Sequence, residues 1–178
     1  REFMIKNKII ECVPNFSEGR DARKIAWIVG EIEKVKGVKL LNVESDADYN
    51  RTVVTFAGTP DAVKDAAFYA IGMAAEVIDM SGHKGVHPRI GATDVCPFVP
   101  VTNVAMDECV HIARMLGKEV GDWLGIPVYL YGAAAIKPER HVLSDIRKGE
   151  YESLPERFKN EICRPDYGPM EFNDTVKR

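Results

Sequence analysis

Two histidines lie four residues apart in His83-Lys84-Gly85-Val86-His87-Pro88-Arg89. Imidazole is the side chain that titrates near neutral pH, so the chemistry this segment offers is proton removal and delivery on a small molecule. Lys84 and Arg89 would disfavour a protonated ring beside them and give an anionic substrate somewhere to dock. Pro88 disfavours helical geometry at His87, so the two rings do not share a helical face. The same spacing could belong to a metal pair, but no helix aligns the rings and only Asp94 and Cys96 lie near enough in sequence to add a ligand, so no metal is expected. A loop histidine can also simply hydrogen-bond its loop together, and for His83 that is the better reading. His111 and His141 fall among charged residues and read as solvated.

Other segments could contribute. Pro14-Asn15-Phe16-Ser17-Glu18-Gly19 leaves a strand end and could present amides or the Asn15 and Ser17 side chains to a ligand; an ordinary Asx turn explains it equally well. A carboxylate of Glu44, Asp46 or Asp48 could orient the imidazole or meet a substrate amine, although a solvated acidic loop is the commoner case. Cys96 would be a nucleophile only with a base beside it, and reads as a strand thiol.

The elements that must hold these residues follow from periodicity. Lys8 to Val13 reads as a strand stopped by Pro14. Ile25, Ile28, Val29, Ile32 and Val35 form the stripe of a helix from Asp21 to Val35, ended by Gly37. Strands are expected over Val38 to Val43 and Arg51 to Phe56, with Glu44 to Asn50 as the loop between them. Thr59-Pro60 opens a long helix running to Ile78. The loop from Ser81 to Ala92 then precedes a strand from Asp94 to Val99 in which Pro97 implies an edge or a bulge. A helix from Met106 to Leu124, with Cys109, Ala113, Leu116, Val120 and Trp123 inward, leads to a strand from Val128 to Tyr131 and a tail of short helices. The order β-α-β-β-α-β predicts an α+β fold of the ferredoxin-like, split-βαβ kind, a mixed or antiparallel sheet with helices packed on one face.

Bulk properties agree with one globular domain. The chain has 178 residues, 46% hydrophobic and 29% charged, enough to bury about two-thirds of its unfolded surface. A net charge of -3 provides no positive field for phosphate backbones or anionic lipid, so neither nucleic acid nor membrane is an expected partner. Without a secretory signal or a bilayer-length apolar run, the expected location is cytoplasmic. The four cysteines contain no Cys-x-x-Cys pair and read as reduced structural thiols. Arg1-Glu2-Phe3 is expected to be a cloning remnant, leaving Met4 as the natural start.

Glu11 to Gly19, Asn50-Arg51-Thr52, His83 to Ala92, Asp94 to Phe98, Met106 to Val110 and Val128 to Gly132, taken in order, closely resemble the glutamate formiminotransferase family. The resemblance runs from about Ile9 to Phe172 and implies that residues 4–178 are the N-terminal of two similar subdomains whose sheets face each other with folate between them. It implies transfer of the formimino group from N-formimino-L-glutamate to N5 of tetrahydrofolate, a co-substrate, with His87 as the catalytic acid and base. Asn15, Glu44, Arg51, His83, Lys84, Arg89 and Gly91 become the expected substrate contacts. Lys84 and Arg89 are expected to hold carboxylates, and Glu44 to orient the ring or the folate amine. Pro165 to Pro169 resembles the start of the family's folate-contacting segment, giving Gly168, Pro169, Met170, Glu171 and Phe172 as cofactor contacts; Asn173 to Arg178 departs from that pattern. The implied partners are the two small molecules together with a second copy or a separate C-terminal subdomain. Cyclisation of 5-formyltetrahydrofolate, or a non-catalytic folate- or glutamate-binding module, are the alternatives.

Overall fold

The structure is a computed structural model and describes residues 7–173, so the proposed natural start and residues 174–178 lie outside the described residues. It is α+β. The strands are β1 (Ile9–Cys12), β2 (Asn15–Phe16), β3 (Val38–Asp46), β4 (Arg51–Gly58), β5 (Thr93–Val95) and β6 (Phe98–Thr102); the longer helices are α1 (Ala22–Glu33), α2 (Pro60–Val77) and α3 (Met106–Leu124), followed by the short α4 (Leu143–Arg147) and α5 (Leu154–Lys159). Among the described residues, no helix is long and apolar enough to cross a membrane.

Every strand pairing is antiparallel, so the mixed sheet that was one option is not formed. β4 is central, with β3 along one side and β1 and β2 in line along the other; β6 pairs with β1, and β5 with β2. The first strand stops before Pro14 as expected but the sheet resumes beyond it, and the expected strand from Asp94 to Val99 is split in two. Asn15 and Phe16, expected in a loop, resume the sheet after Pro14, whose carbonyl accepts from Val54 N at 3.1 Å although proline donates nothing. Pro97 likewise splits β5 from β6 while its carbonyl accepts from Val13 N at 3.3 Å. β3 runs to Asp46, three residues beyond its expected end, because Glu44, Ser45 and Asp46 pair with Val53, Thr52 and Arg51.

Alternation along the strands gives the sheet two unlike faces. Ile10, Cys12, Thr52, Val54 and Phe56 are buried and share a face, since directly paired residues point the same way. α2 packs on that face against β1 and β4, flanked by α1 and α3. Filling it with groups such as Phe56 and Val54 is worth about 1.5–3 kcal/mol each. The opposite face carries Glu11, Asn15, Lys39, Asn42, Glu44, Arg51, Val53, Thr55 and Ala57, and none of them is buried.

The helices follow their sequence signals. Asp21 caps α1 by accepting from Arg23 N, Thr59 and Pro60 open α2, and Gly125 at φ 64 ends α3. Trp123, expected inward, is 73% exposed and lies edge-to-face on Phe68, because α3's buried stripe runs through Ile112, Leu116 and Val120 and the last turn overhangs it. The expected strand from Val128 to Tyr131 is reduced to one bridge with Tyr167: Leu130 N donates to the Asp166 carboxylate at 2.8 Å instead of to a ladder. Asp166 also pairs with Arg140 at 2.7 Å, with both side chains 4% exposed.

Candidate active site

His87 lies in the loop between α2 and β5, a connection fixed by one residue of the β3–β4 turn. Asn50 takes a left-handed φ of 49, which asparagine tolerates. Its Oδ1 accepts from Gly19 N at 2.9 Å, its Nδ2 donates to Lys84 O at 3.0 Å, and its carbonyl lies 3.1 Å from His83 Nε2. Three loops thus meet on one side chain and its peptide. Gly85 is required where the histidine loop crosses this turn: an added Cβ would come within 2.3 Å of Tyr49 O. Val86 N donates to Asp48 O at 3.2 Å, which completes the seam.

His87 turns towards β5. Its Nε2 lies 3.4 Å from Asp94 Oδ2, and Asp94 is almost wholly buried. The same Oδ2 pairs with Arg147 Nη2 from α4, and Oδ1 accepts from Ile90 N at 3.0 Å. The other neighbours of the imidazole are the Tyr49 ring, with centroids 6.5 Å apart, and Arg51, whose guanidinium lies over Tyr49. Burial pushes the His87 proton affinity below the ordinary histidine value; Asp94 pulls it up, while Arg51 and Arg147 push it down further. The net shift is downward, which favours the neutral ring. A carboxylate at Nε2 favours the tautomer with its proton there, which leaves the Nδ1 lone pair as the base.

Asn15 and Glu44 flank Val53 on the open face, each paired with it from a neighbouring strand, and Arg51 stands two residues along β4 and donates to Asn15 Oδ1 at 3.3 Å. Asn15, Glu44 and Arg51 therefore gather at one end of that face, and Arg51 and His87 both approach the Tyr49 ring. The carboxylate placed to orient the ring is Asp94, not Glu44.

The other expected contacts lie elsewhere. Arg89 is buried, and its five N–H groups are committed: Nε donates to His83 Nδ1 at 3.0 Å, Nη1 reaches Glu150 and Glu152 at 2.7 and 2.8 Å, and Nη2 reaches Glu152 and His83 O at 2.7 and 3.1 Å. It has no donor left for a substrate carboxylate, so the expectation of anion docking fails at Arg89. His83, bonded through both nitrogens, holds the loop, and burial lowers its proton affinity. The Arg89 hydrogen bond holds the Glu152 carboxyl at about 2. Lys84 is exposed and lines a polar recess of about 430 Å³ with His83, Arg89, Glu150 and Glu152. Gly91 uses its carbonyl to accept from Ser17 Oγ at 2.7 Å and borders an apolar cavity of about 320 Å³ behind β5, under α3.

In the segment Gly168 to Phe172, Gly168 adopts φ 88 against Ile126, Met170 and Glu171 are exposed, and the Phe172 ring packs on Tyr151 and Phe158. Phe172 is thus engaged in packing. Cys96 has a thiol, not a base, beside it: its sulfur is 3.5 Å from that of Cys12. No group of three or more His, Cys, Asp or Glu that could hold a metal occurs among the described residues. Sequence reasoning missed Asp94 as the imidazole's partner and missed Arg147 altogether. Asp94 sits in a quoted motif, but nothing in the sequence around Arg147 points to the loop that it reaches.

Residues 9–176 match the model of the formiminotransferase domain, N-terminal subdomain. The chain is 52% identical over 163 residues to a glutamate formimidoyltransferase of Thermoplasma acidophilum, covering 90% of this chain and 54% of that protein. It is 44% identical to the glutamate formimidoyltransferase of Streptococcus pyogenes serotype M1, covering 95% and 56%. A formimidoyltransferase-cyclodeaminase of Gallus gallus is 52% identical over 165 residues, covering 93% of this chain and 30% of that protein. The chain spans about half the length of the glutamate formimidoyltransferases and about a third of the longer relative.

Proposed function

The chain belongs to the formiminotransferase family as an N-terminal subdomain, and from that premise we propose that residues 4–178 form one wall of a glutamate formimidoyltransferase site in which His87 moves the protons. The fold reading that goes with this is a ferredoxin-like split βαβ, supported by the antiparallel order around β4. The observation that carries the reading is His87, its Nε2 3.4 Å from the buried Asp94 carboxylate and its ring near Tyr49, where Arg51 joins it to the open sheet face that bears Asn15 and Glu44.

In this reading N5 of tetrahydrofolate attacks the amidine carbon of N-formimino-L-glutamate, forming the new C–N bond and a tetrahedral intermediate. His87 Nδ1 takes the proton that N5 must lose and delivers it to the glutamate nitrogen, which leaves as the old C–N bond breaks. An imidazole can both take and return a proton, which suits both halves of the exchange, and such transfer is worth about 10²–10⁴ in rate. Arg51, which retains guanidinium hydrogens on the open face, and the exposed Lys84 are the cations available for substrate carboxylates. Glu44 is available for a folate amine, and Met170 and Glu171 for the folate itself. No metal has a part in this scheme. The open face accepts the other wall, either the C-terminal part that the longer relatives carry or a second copy. The site is a cytoplasmic one for small molecules, not for nucleic acid or membrane.

The test is turnover of N-formimino-L-glutamate with tetrahydrofolate by the natural polypeptide that carries this sequence. H87A should lower kcat by about 10²–10⁴. An unchanged rate refutes the assignment, and saturable folate binding without turnover in the parent would instead mark a binding module.

A further inference from the structure

Asp94 cannot hold His87 unaided. A carboxylate as buried as this one is costly to keep charged unless it is paired and hydrogen-bonded. Ile90 N supplies one hydrogen bond, at 3.0 Å, and the neutral imidazole 3.4 Å away brings no charge. The compensating cation is Arg147 on the same oxygen. We propose that Arg147 is a positioning residue for the site: reaching in from α4, it pairs with the Asp94 carboxylate and keeps it aimed, so that Asp94 holds the His87 ring with its proton on Nε2 and its lone pair on Nδ1. The proposal rests on the reading of His87 as the group that moves the protons.

The segment bearing Arg147 is built to be rigid. Ile146 enters the core, and its carbonyl accepts from Arg157 of α5. Glu150 N donates to Arg147 O at 2.8 Å, and two left-handed residues, Gly149 at φ 81 and Glu150 at φ 54, then reverse the chain. The reversal brings Tyr151 N to Arg89 O at 2.9 Å and sets Glu150 and Glu152 on the Arg89 guanidinium. Residues 147–152 therefore grip the histidine loop at two points, through Asp94 at His87 and directly at Arg89. The charged and titratable groups facing His87 are Asp94 on β5, Arg51 on β4, Arg147 on α4 and Tyr49 in the β3–β4 turn. Removing the Arg147 charge takes a cation from the imidazole and leaves Asp94 unopposed. Both effects raise the affinity of His87 for a proton.

The four histidines of the chain are few enough to assign one by one with His→Gln variants and to follow by NMR of the ring nitrogens across a pH titration. In R147M, which keeps the length and loses the charge, the His87 midpoint should move upward and the ring nitrogens should show a smaller share of the Nε2–H tautomer. R147K should return both towards the parent, while His83, held by Arg89 and Asn50, reports that the loop remains folded. A His87 midpoint and tautomer share unchanged in R147M, with His83 also unchanged, overturns the proposal. Should R147M not fold, the tautomer share in D94N and R147K decides: loss in D94N with retention in R147K supports the proposal, and retention in both overturns it. Because the ring titration needs no turnover, failure of the catalytic reading, with H87A fully active, is distinguishable from failure of this one.

Discussion

Replacing Asn50 by alanine tests how the histidine loop is held. The substitution deletes the acceptor of Gly19 N–H and the donor to Lys84 O, and leaves a β-carbon residue at φ 49. Gly19 is pressed against Asp46 O, where an added Cβ would come within 2.2 Å, so its freed N–H gains little access to water. A buried donor left unpaired costs about 1–3 kcal/mol, and the bond to Lys84 is worth about 1 kcal/mol. Left-handed backbone adds about 1–2 kcal/mol for alanine. The expected sum is about 3–6 kcal/mol, a fall in Tm on the order of 10 °C for a chain of this length. Glycine escapes only the backbone cost, so N50G should lie about 1–2 kcal/mol above N50A and still below the parent. Urea unfolding at constant m reads both differences. If N50A stays within about 0.5 kcal/mol of the parent, or N50G is no more stable than N50A, the assignment of Asn50 as the junction of the three loops is wrong.

Two further outcomes follow from the same region. G85A should destabilise by about 1–3 kcal/mol, the range for overpacking, because the new methyl group meets backbone and not a flexible side chain; unfolding midpoints check it, and a neutral effect would show that the loop crosses the turn less closely. His83 and His87 both have their proton affinity lowered on folding, so below about pH 6.5 the unfolded chain binds more protons. Stability is then full above that pH, falls on acidification through the two folded values and levels off beneath them. Urea midpoints between pH 8 and 5 should decline in the parent and flatten in the H83Q/H87Q double variant, and a midpoint that rises on acidification contradicts both shifts.

What could be read from sequence was whatever local periodicity and caps determine. α3 begins at Met106 and ends at Leu124 as expected, and α2 opens at Pro60, because apolar spacing and helix-stop residues act within a few positions. The interruptions at Pro14 and Pro97 were legible, but the resumption of the sheet beyond each was not, because a proline that cannot donate still offers a carbonyl, and only the neighbouring strand decides whether that carbonyl is used. The histidine segment was visible as chemistry, yet the division of labour within it was not. His83 already read as the loop-holding histidine, but Arg89 looks as functional as His87 until Glu150 and Glu152 are seen to occupy the guanidinium, and those carboxylates arrive from about sixty residues away. Arg147 was hidden for the same reason, since tertiary pairing leaves no periodic trace.

The uncovered face of the sheet bears on what His87 is worth as a base. Part of the water that sets its proton affinity lies over Arg51, Asn15 and Glu44, where any second wall must come down. Closing that wall exchanges solvent for protein, strengthens the fields of Arg51, Asp94 and Arg147 at the ring, and disfavours the imidazolium further. On the proposed reading the working acidity of the site would be jointly owned: this chain sets the sign of the shift, and whatever covers the face sets how far the shift goes.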